Sequence, residues 1–166
     1  MLRFAILTVS DRSARGERED RSGPALADAV RANGWEVAHT AILPDDLPTL
    51  RDTLARWADS DAYDVILTTG GTGFAPRDVT PEATRAVVER LAPGLSEAMR
   101  AASLQITAHA MLSRAVAGIR GQTLIVNLPG SPKAAVENFA VIAPVLPHAV
   151  KLLRGDQSAE KEHRKL

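Results

Sequence analysis

The feature that most limits how this chain can fold is a glycine-rich loop set between an apolar run and a proline-started helix. Val65-Ile66-Leu67 ends in two threonines. The segment 68–84, TTGGTGFAPRDVTPEAT, then supplies Gly70, Gly71 and Gly73 within four positions. That density implies an unusual backbone path, because glycine tolerates positive φ and lets other groups approach the chain closely. A glycine-rich turn at a strand end can aim several backbone N–H groups into one concavity suited to an anion. Thr80-Pro81-Glu82 reads as a helix start, with Thr80 as N-cap and Pro81 first in the helix. Asp78 in the loop would repel a phosphate unless a divalent cation bridged them. A Gly-Gly pair can also simply reverse the chain. Three glycines, an acid and a capped helix in one loop favour a nucleotide or phosphate-ester site with magnesium. No Gly-Lys-Ser/Thr ending is present, and Pro76 stands where a dinucleotide fingerprint needs its third glycine, so neither familiar phosphate loop applies.

The 166 residues, 45% of them hydrophobic, suit one ordinary domain. Twenty basic and twenty acidic side chains balance, which argues against a nucleic-acid or membrane surface. With no cysteine, disulfides, thiolate nucleophiles and sulfur-bound metals are excluded. No apolar run is expected to reach bilayer length, and MLRFAILTVS is too short before its acid for a signal peptide. A cytoplasmic globular protein is expected.

In chain order, residues 4–9 form an apolar run consistent with a strand buried on both faces. Ser10-Asp11-Arg12 and a polar, mobile-looking stretch to Gly23 follow. A helix is expected from Ser22 or Pro24 to Asn33, ended by Gly34. Residues 35–43 read as a strand and 46–59 as a helix with Leu47, Leu50, Leu54 and Trp57 at helical spacing. Residues 63–68 form the strand feeding the glycine loop. Beyond Pro93-Gly94 a helix should bury Leu95, Ala98, Met99, Ala102 and Ile106. Residues 116–119 and 123–128 should pair as a hairpin, and Ser131 should cap a final helical region broken at Pro144 and Pro147. The expected fold is three-layer α/β/α, with a mostly parallel central sheet and one antiparallel strand. One domain over 1–154 and a charged tail over 155–166 are expected.

Ligands of such sheets sit beyond the carboxyl ends of the strands. That rule gathers Ser10-Asp11-Arg12, Pro44-Asp45, the 70–73 loop and the 129–133 turn on one edge. Asp45 alone reads best as a turn or cap acid, but with Asp78 it could share a magnesium. Lys133, in the first turn of a helix, opposes the dipole; an anion held there would compensate it, or the side chain simply meets solvent. Histidines 39, 109, 148 and 163 show no zinc spacing, and Ser96 reads as a helix cap rather than a nucleophile.

TTGGTG, Arg-Asp-x-Thr-Pro-Glu-Ala-Thr at 77–84, Ser-Glu-Ala-Met-Arg at 96–100, Leu-Ser-Arg at 112–114 and Asn-Leu-Pro-Gly-Ser-Pro-Lys at 127–133 together resemble the molybdopterin-binding family. The resemblance is strongest to the stand-alone molybdopterin adenylyltransferases of molybdenum cofactor biosynthesis, and it runs to about residue 154. It implies transfer of AMP from Mg-ATP to the terminal phosphate of molybdopterin, with release of pyrophosphate. It also implies a homotrimer, with hand-over to a molybdate-insertion protein as a further partner and no appended domain. By motif, Asp45 and Asp78 resemble the required acids and Mg²⁺ ligands. Gly70, Gly71, Thr72, Gly73, Ser113, Asn127, Pro129, Gly130, Ser131 and, less firmly, Lys133 resemble the pterin or phosphate contacts. Glu97 and Arg100 also match a family motif, while Asp46 competes with Asp45 for the acid position.

The reaction fits the residues present. A phosphate monoester is largely deprotonated near neutrality, its second pKa being about 6, so no general base is needed. The difficulty lies in holding two polyanions together while charge develops on the leaving pyrophosphate. Arg12, Arg77, Arg100, Arg114 and Lys133 are the candidate cations. Two other readings compete: a pterin carrier without catalysis, and an unrelated nucleotide or pyrophosphate hydrolase.

Overall fold

Alternate residues of the first strand enter different cores, and this sets the architecture of the computed structural model, which describes residues 1–157 and 159. In β1 (Arg3–Val9), Phe4 and Ile6 join one apolar cluster while Ala5, Leu7 and Val9 join another. A strand covered on both faces needs two helical layers, and the chain supplies them. A short α1 (Asp11–Ala14), capped by Ser10, and α2 (Ser22–Ala32) precede β2 (Glu36–Leu43). Gly34, at φ 76°, turns the chain out of α2. Next come α3 (Leu47–Asp59), β3 (Val65–Thr69), α4 (Thr80–Val87), β4 (Arg90–Leu91) and α5 (Pro93–Leu104). A 3-10 turn at Ala108–Leu112 leads to β5 (Ala117–Arg120) and β6 (Thr123–Leu128). The last elements are α6 (Pro132–Ile142), a 3-10 turn at Ala143–Val145 and α7 (Leu146–Leu153).

The sheet runs β2-β1-β3-β6-β5-β4. Neighbours are parallel from β2 through β6, and β5 alone runs against the rest. Leu26, Met99, Phe139, Ile142 and Leu146 place α2, α5, α6 and α7 on one face, whereas Leu50, Leu54, Trp57, Ala83 and Val87 place α3 and α4 on the other. Phe4 stacks on Trp35 at 5.3 Å and meets the edge of Phe139 at 6.2 Å. Phe4 and Phe139 are fully buried and each contributes about 2 kcal/mol, while Trp35 is half-buried. Opposite the loop edge, the Asp64 carboxylate accepts the Arg3 N–H at 2.8 Å and pairs with the guanidiniums of Arg3 and Arg154. Burial pushes this carboxyl up, but hydrogen bonds from Arg3 and Arg154 outweigh that and hold it below the usual range.

Several local expectations are corrected. The stretch after Ser10 is tied down: Asp20 accepts the Thr8 hydroxyl at 2.7 Å and caps the start of α2 through the Gly23 N–H at 3.1 Å. Thr80 is the first residue of α4 rather than its cap, because its hydroxyl donates to the Gly70 carbonyl at 2.9 Å. Ser96 lies inside α5, not at its start, and its buried hydroxyl has no partner among the described residues. The helix ends at Leu104, which leaves Ile106 65% exposed. Strand β4 was not expected, being two residues long with no readable period. The run Pro132–Leu153 spans 22 residues at mean hydropathy 1.3, long and apolar enough by composition to cross a bilayer. That corrects the expectation that no run reaches this length, although Ala135, Phe139, Ile142, Leu146 and Val150 pack it onto the sheet. Residues 158 and 160–166 of the expected tail lie outside the described residues.

Candidate active site at the carboxyl edge of the sheet

The connection leaving β1 runs toward β2 with α2 on one face, whereas the chain leaving β3 runs toward the opposite edge of the sheet with α4 on the other face. The loops therefore part at the carboxyl ends of β1 and β3 and open a crevice there. It is a cleft of about 710 Å³ lined by Ser10, Asp11, Arg12, Asp45, Gly70, Gly71, Arg77, Asp78, Gly130 and Ser131. All four loops expected at this edge contribute to it. Arg18 and Asp20, from the stretch read as mobile, line it as well.

The two adjacent acids after β2 are separated by their partners. Asp46 caps α3, its carboxylate accepting the Thr49 N–H at 3.1 Å. Asp45 instead faces the cleft and is clasped by Asp11: the Asp11 N–H donates to Asp45 Oδ2 at 3.0 Å, and the Asp45 N–H donates to Asp11 Oδ1 at 2.9 Å. Burial raises the Asp45 carboxyl above the usual range, the Asp11 N–H partly offsets this, and the charges of Asp11 and Asp78 raise it further. Asp78 accepts the Ala75 N–H at 3.0 Å. Asp11, Asp45 and Asp78 thus share one cleft, which Glu19 and Asp20 also line. Asp11 was not singled out as an acid of the site, although its place directly after a strand end was a usable signal.

The glycine loop needs its glycines for room. Gly70 has φ 100°, and a Cβ there would lie 2.3 Å from the Val9 carbonyl oxygen. A Cβ at Gly71 would lie 2.3 Å from Thr80 Oγ1 and 3.0 Å from Asp45 Oδ1. Among the described residues, the N–H groups of Gly71, Thr72, Gly73, Gly130 and Ser131 donate to nothing in the chain, which leaves them for an anion. Ser131 also caps α6, accepting the Ala134 N–H at 3.4 Å.

A second cleft, of about 290 Å³, opens on the other side of this loop. Thr72, Gly73, Ser113 and Pro129 line it together with Met99, Ile106, Leu112 and Ala115. Its walls are more apolar, and the buried hydroxyl of Ser96 belongs to them. Arg100, also in its lining, is held by the carbonyls of Ser113 at 3.3 Å and Ala115 at 3.0 Å.

Two expected contacts face elsewhere. Lys133 is exposed, with Glu137 at 3.9 Å as its partner, and lines neither cleft. Asn127 is fully buried: its amide donates to Thr68 Oγ1 at 3.0 Å and Thr84 Oγ1 at 2.8 Å, and its oxygen accepts the Val116 N–H at 3.1 Å. A saturated side chain inside the sheet ties β3, α4 and β6 together instead of reaching a ligand. Asn127→Ala should therefore cost about 3 kcal/mol in urea unfolding, since it strands buried partners. Weaker ligand binding at unchanged stability would return Asn127 to the site.

Fold and site define an α/β domain that offers carboxylates, guanidiniums and free N–H groups to an anionic ligand at its strand ends. Residues 5–148 match the family described as probable molybdopterin binding domain, and the chain belongs to that family. It is 46% identical over 159 residues to the molybdenum cofactor synthesis protein cinnamon of Drosophila melanogaster. That match covers 93% of this chain and 26% of the relative, so the chain spans about a quarter of the longer protein. It is 39% identical to the molybdopterin adenylyltransferase of Helicobacter pylori strain J99, over 93% of this chain and 89% of that one. Among solved structures, the molybdopterin biosynthesis enzyme MoaB of Thermus thermophilus superposes with TM-score 0.88 at 51% identity, covering 94% and 98% of the two chains. The resemblance carried by the motifs and the expected fold class both hold.

Proposed function

We propose that this chain is a molybdopterin adenylyltransferase. It would transfer AMP from Mg-ATP to the terminal phosphate of molybdopterin and release pyrophosphate. The observation that carries this reading is the pairing of two clefts across one glycine loop, the larger lined by acids and arginines and the smaller more apolar. The larger suits a polyphosphate and the smaller a flat heterocycle, with Gly70, Gly71, Thr72 and Gly73 between them. The comparisons support the substrate class, since full-length relatives carry the name of this activity.

A terminal phosphate oxygen of the pterin attacks the α-phosphorus of ATP, a new P–O bond forms, and the bond to the bridging oxygen of pyrophosphate breaks. The oxygen is already ionised near neutrality, so no residue need take a proton. The protein's part is alignment and charge neutralisation. Arg12, Arg18 and Arg77 line the larger cleft with no ion pair among the described residues and can meet the phosphates. Arg114, by contrast, is engaged with the chain itself.

No set of three metal-ligating side chains occurs among the described residues. Two carboxylates completed by phosphate oxygens and water are nonetheless what magnesium usually takes. Asp45 is raised by burial and by the negative charge of Asp11 and Asp78, which outweigh the Asp11 N–H and the nearby Arg77, so a bound cation would relieve it and the residues fit one. Asp45 and Asp78 would hold Mg²⁺, which supplies neutralisation of the phosphate charge. A homotrimeric assembly, a cytoplasmic location and hand-over to a molybdate-insertion protein form part of the same proposal.

The test is incubation of the purified chain with molybdopterin, ATP and Mg²⁺, with pyrophosphate as the readout. Release that needs all three is expected. Pterin binding with no pyrophosphate would make the chain a carrier, and nucleotide hydrolysis without pterin would make it a hydrolase.

A further inference from the structure

Residues 72–78 carry Asp78 into the larger cleft and Thr72 and Gly73 into the smaller one, yet they hold to the rest of the chain by few bonds. Within the segment, the Ala75 N–H donates to Asp78 Oδ2 at 3.0 Å and the Asp78 N–H returns to the Ala75 carbonyl at 2.9 Å. Among the described residues, every hydrogen bond that leaves the segment ends on Arg114. Its backbone N–H donates to the Thr72 carbonyl at 2.9 Å, its Nε to the Gly73 carbonyl at 2.7 Å and its Nη2 to the Asp78 carbonyl at 2.7 Å. Glu82, in the first turn of α4, grips the same guanidinium through Nη1 and Nη2. Arg114 lines neither cleft, so it is placed to act on the loop and not on a ligand.

We infer that Arg114 is the positioning residue that holds both ends of this loop, and thereby aims the Asp78 carboxylate, a role that rests on the adenylyl-transfer reading above. A planar guanidinium offers five donors in a fixed fork, so one side chain can bridge two carbonyls and a carboxylate. A lysine ammonium would reach only part of that set. Glu82 fixes the fork's orientation and neutralises its charge, which leaves the larger cleft to the unpaired arginines.

The test uses the full chain with Arg114→Met and Arg114→Lys. Hydrogen exchange of the 72–78 amides is followed without substrate, and steady-state kinetics are measured with molybdopterin, ATP and varied Mg²⁺. In Arg114→Met the amides of Ala75 and Asp78 should exchange at least about tenfold faster, because local opening is no longer resisted. Turnover should fall about 100-fold, since a displacement of an ångström at a reacting group costs that much. The Mg²⁺ needed for half-maximal rate should rise, while KM for ATP and for molybdopterin stays within about threefold. Arg114→Lys should lie between the two on every readout, and it carries the test alone if the methionine variant does not fold. Unchanged exchange in 72–78, wild-type turnover, or a loss expressed only as raised KM would overturn the inference. If the unmodified chain releases no pyrophosphate, the adenylyl-transfer reading fails, and the exchange measurement still decides whether Arg114 holds the loop.

Discussion

Asp45→Asn is expected to reduce pyrophosphate release at least about 100-fold, the scale seen when one preorganised electrostatic contact in an active site is removed. The same variant should be no less stable than the wild type at pH 7. Both expectations follow from the pressure on this carboxyl: burial first, then the charges of Asp11 and Asp78, raise it above its ordinary value. A carboxyl whose native pKa exceeds its unfolded one favours folding while protonated, and that contribution is lost as pH rises through the native pKa. At neutral pH the ionised group therefore costs stability, and a neutral isostere that can still accept the Asp11 N–H removes the cost. Turnover has the opposite dependence, because only the ionised form can hold a cation. The rate should decline on the acid side from a higher pH than for an ordinary carboxylate, and excess Mg²⁺ should move that decline to lower pH. Calorimetry of both proteins at pH 7 and rates across the acid limb read the two effects. Full turnover by Asp45→Asn would remove the residue from the cation site.

Gly70→Ala should destabilise the fold more than any other loop substitution considered. The backbone sits at φ 100°, where an alanine costs about 1–2 kcal/mol, and its Cβ would press within 2.3 Å of the Val9 carbonyl oxygen. That neighbour is backbone at the end of β1, so no side-chain rotation relieves the contact, and overpacking adds about 1–3 kcal/mol. The sum, about 3 kcal/mol, should lower Tm by about 10 °C. Gly34→Ala is the control: its φ is 76°, but a Cβ there meets nothing within 4 Å. Equal losses in the two variants would mean that the close approach to Val9 has no energetic weight. Gly70→Ala should also lose turnover, because shifting the loop displaces the hydroxyl bond between Thr80 and Gly70 that anchors the start of α4.

Much of this arrangement was legible in the residues, for identifiable reasons. A continuous apolar run announced β1 as a strand covered on both faces, the run before the glycine loop announced β3, and residues 123–128 read as one arm of a hairpin; helical spacing placed α3 and the Ser131 cap placed the start of α6. The rule for strand ends then brought Asp45, Gly70, Asp78 and Ser131 to one edge, where the structure has them. What was not legible depended on tertiary partners. Asn127 sits in a motif that reads as a ligand contact, but three partners remote in sequence absorb its amide. Lys133 is set on the first turn of α6, yet its own helix offers Glu137. Thr80 has the composition of a cap, and only the turned carbonyl of Gly70 redirects its hydroxyl. Arg18 lay in a stretch with no hydrophobic period, so nothing local marked it as part of a cleft wall. The second cleft was invisible for a similar reason, because its apolar lining comes from α5 and the 3-10 turn after it.

Adjacent residues of one loop line the two clefts, Gly70 and Gly71 the larger and Thr72 and Gly73 the smaller, and this has a consequence for chemical probes of the molecule. A compound with a flat bicyclic head and a polyphosphate tail could lie across that loop and occupy both chambers at once. Once one end is seated, the other would experience an effective concentration in about the millimolar range, set by the tether and not by the bulk solution. Its avidity would then far exceed that of either half alone, and inserting bulk at the loop would separate the halves again.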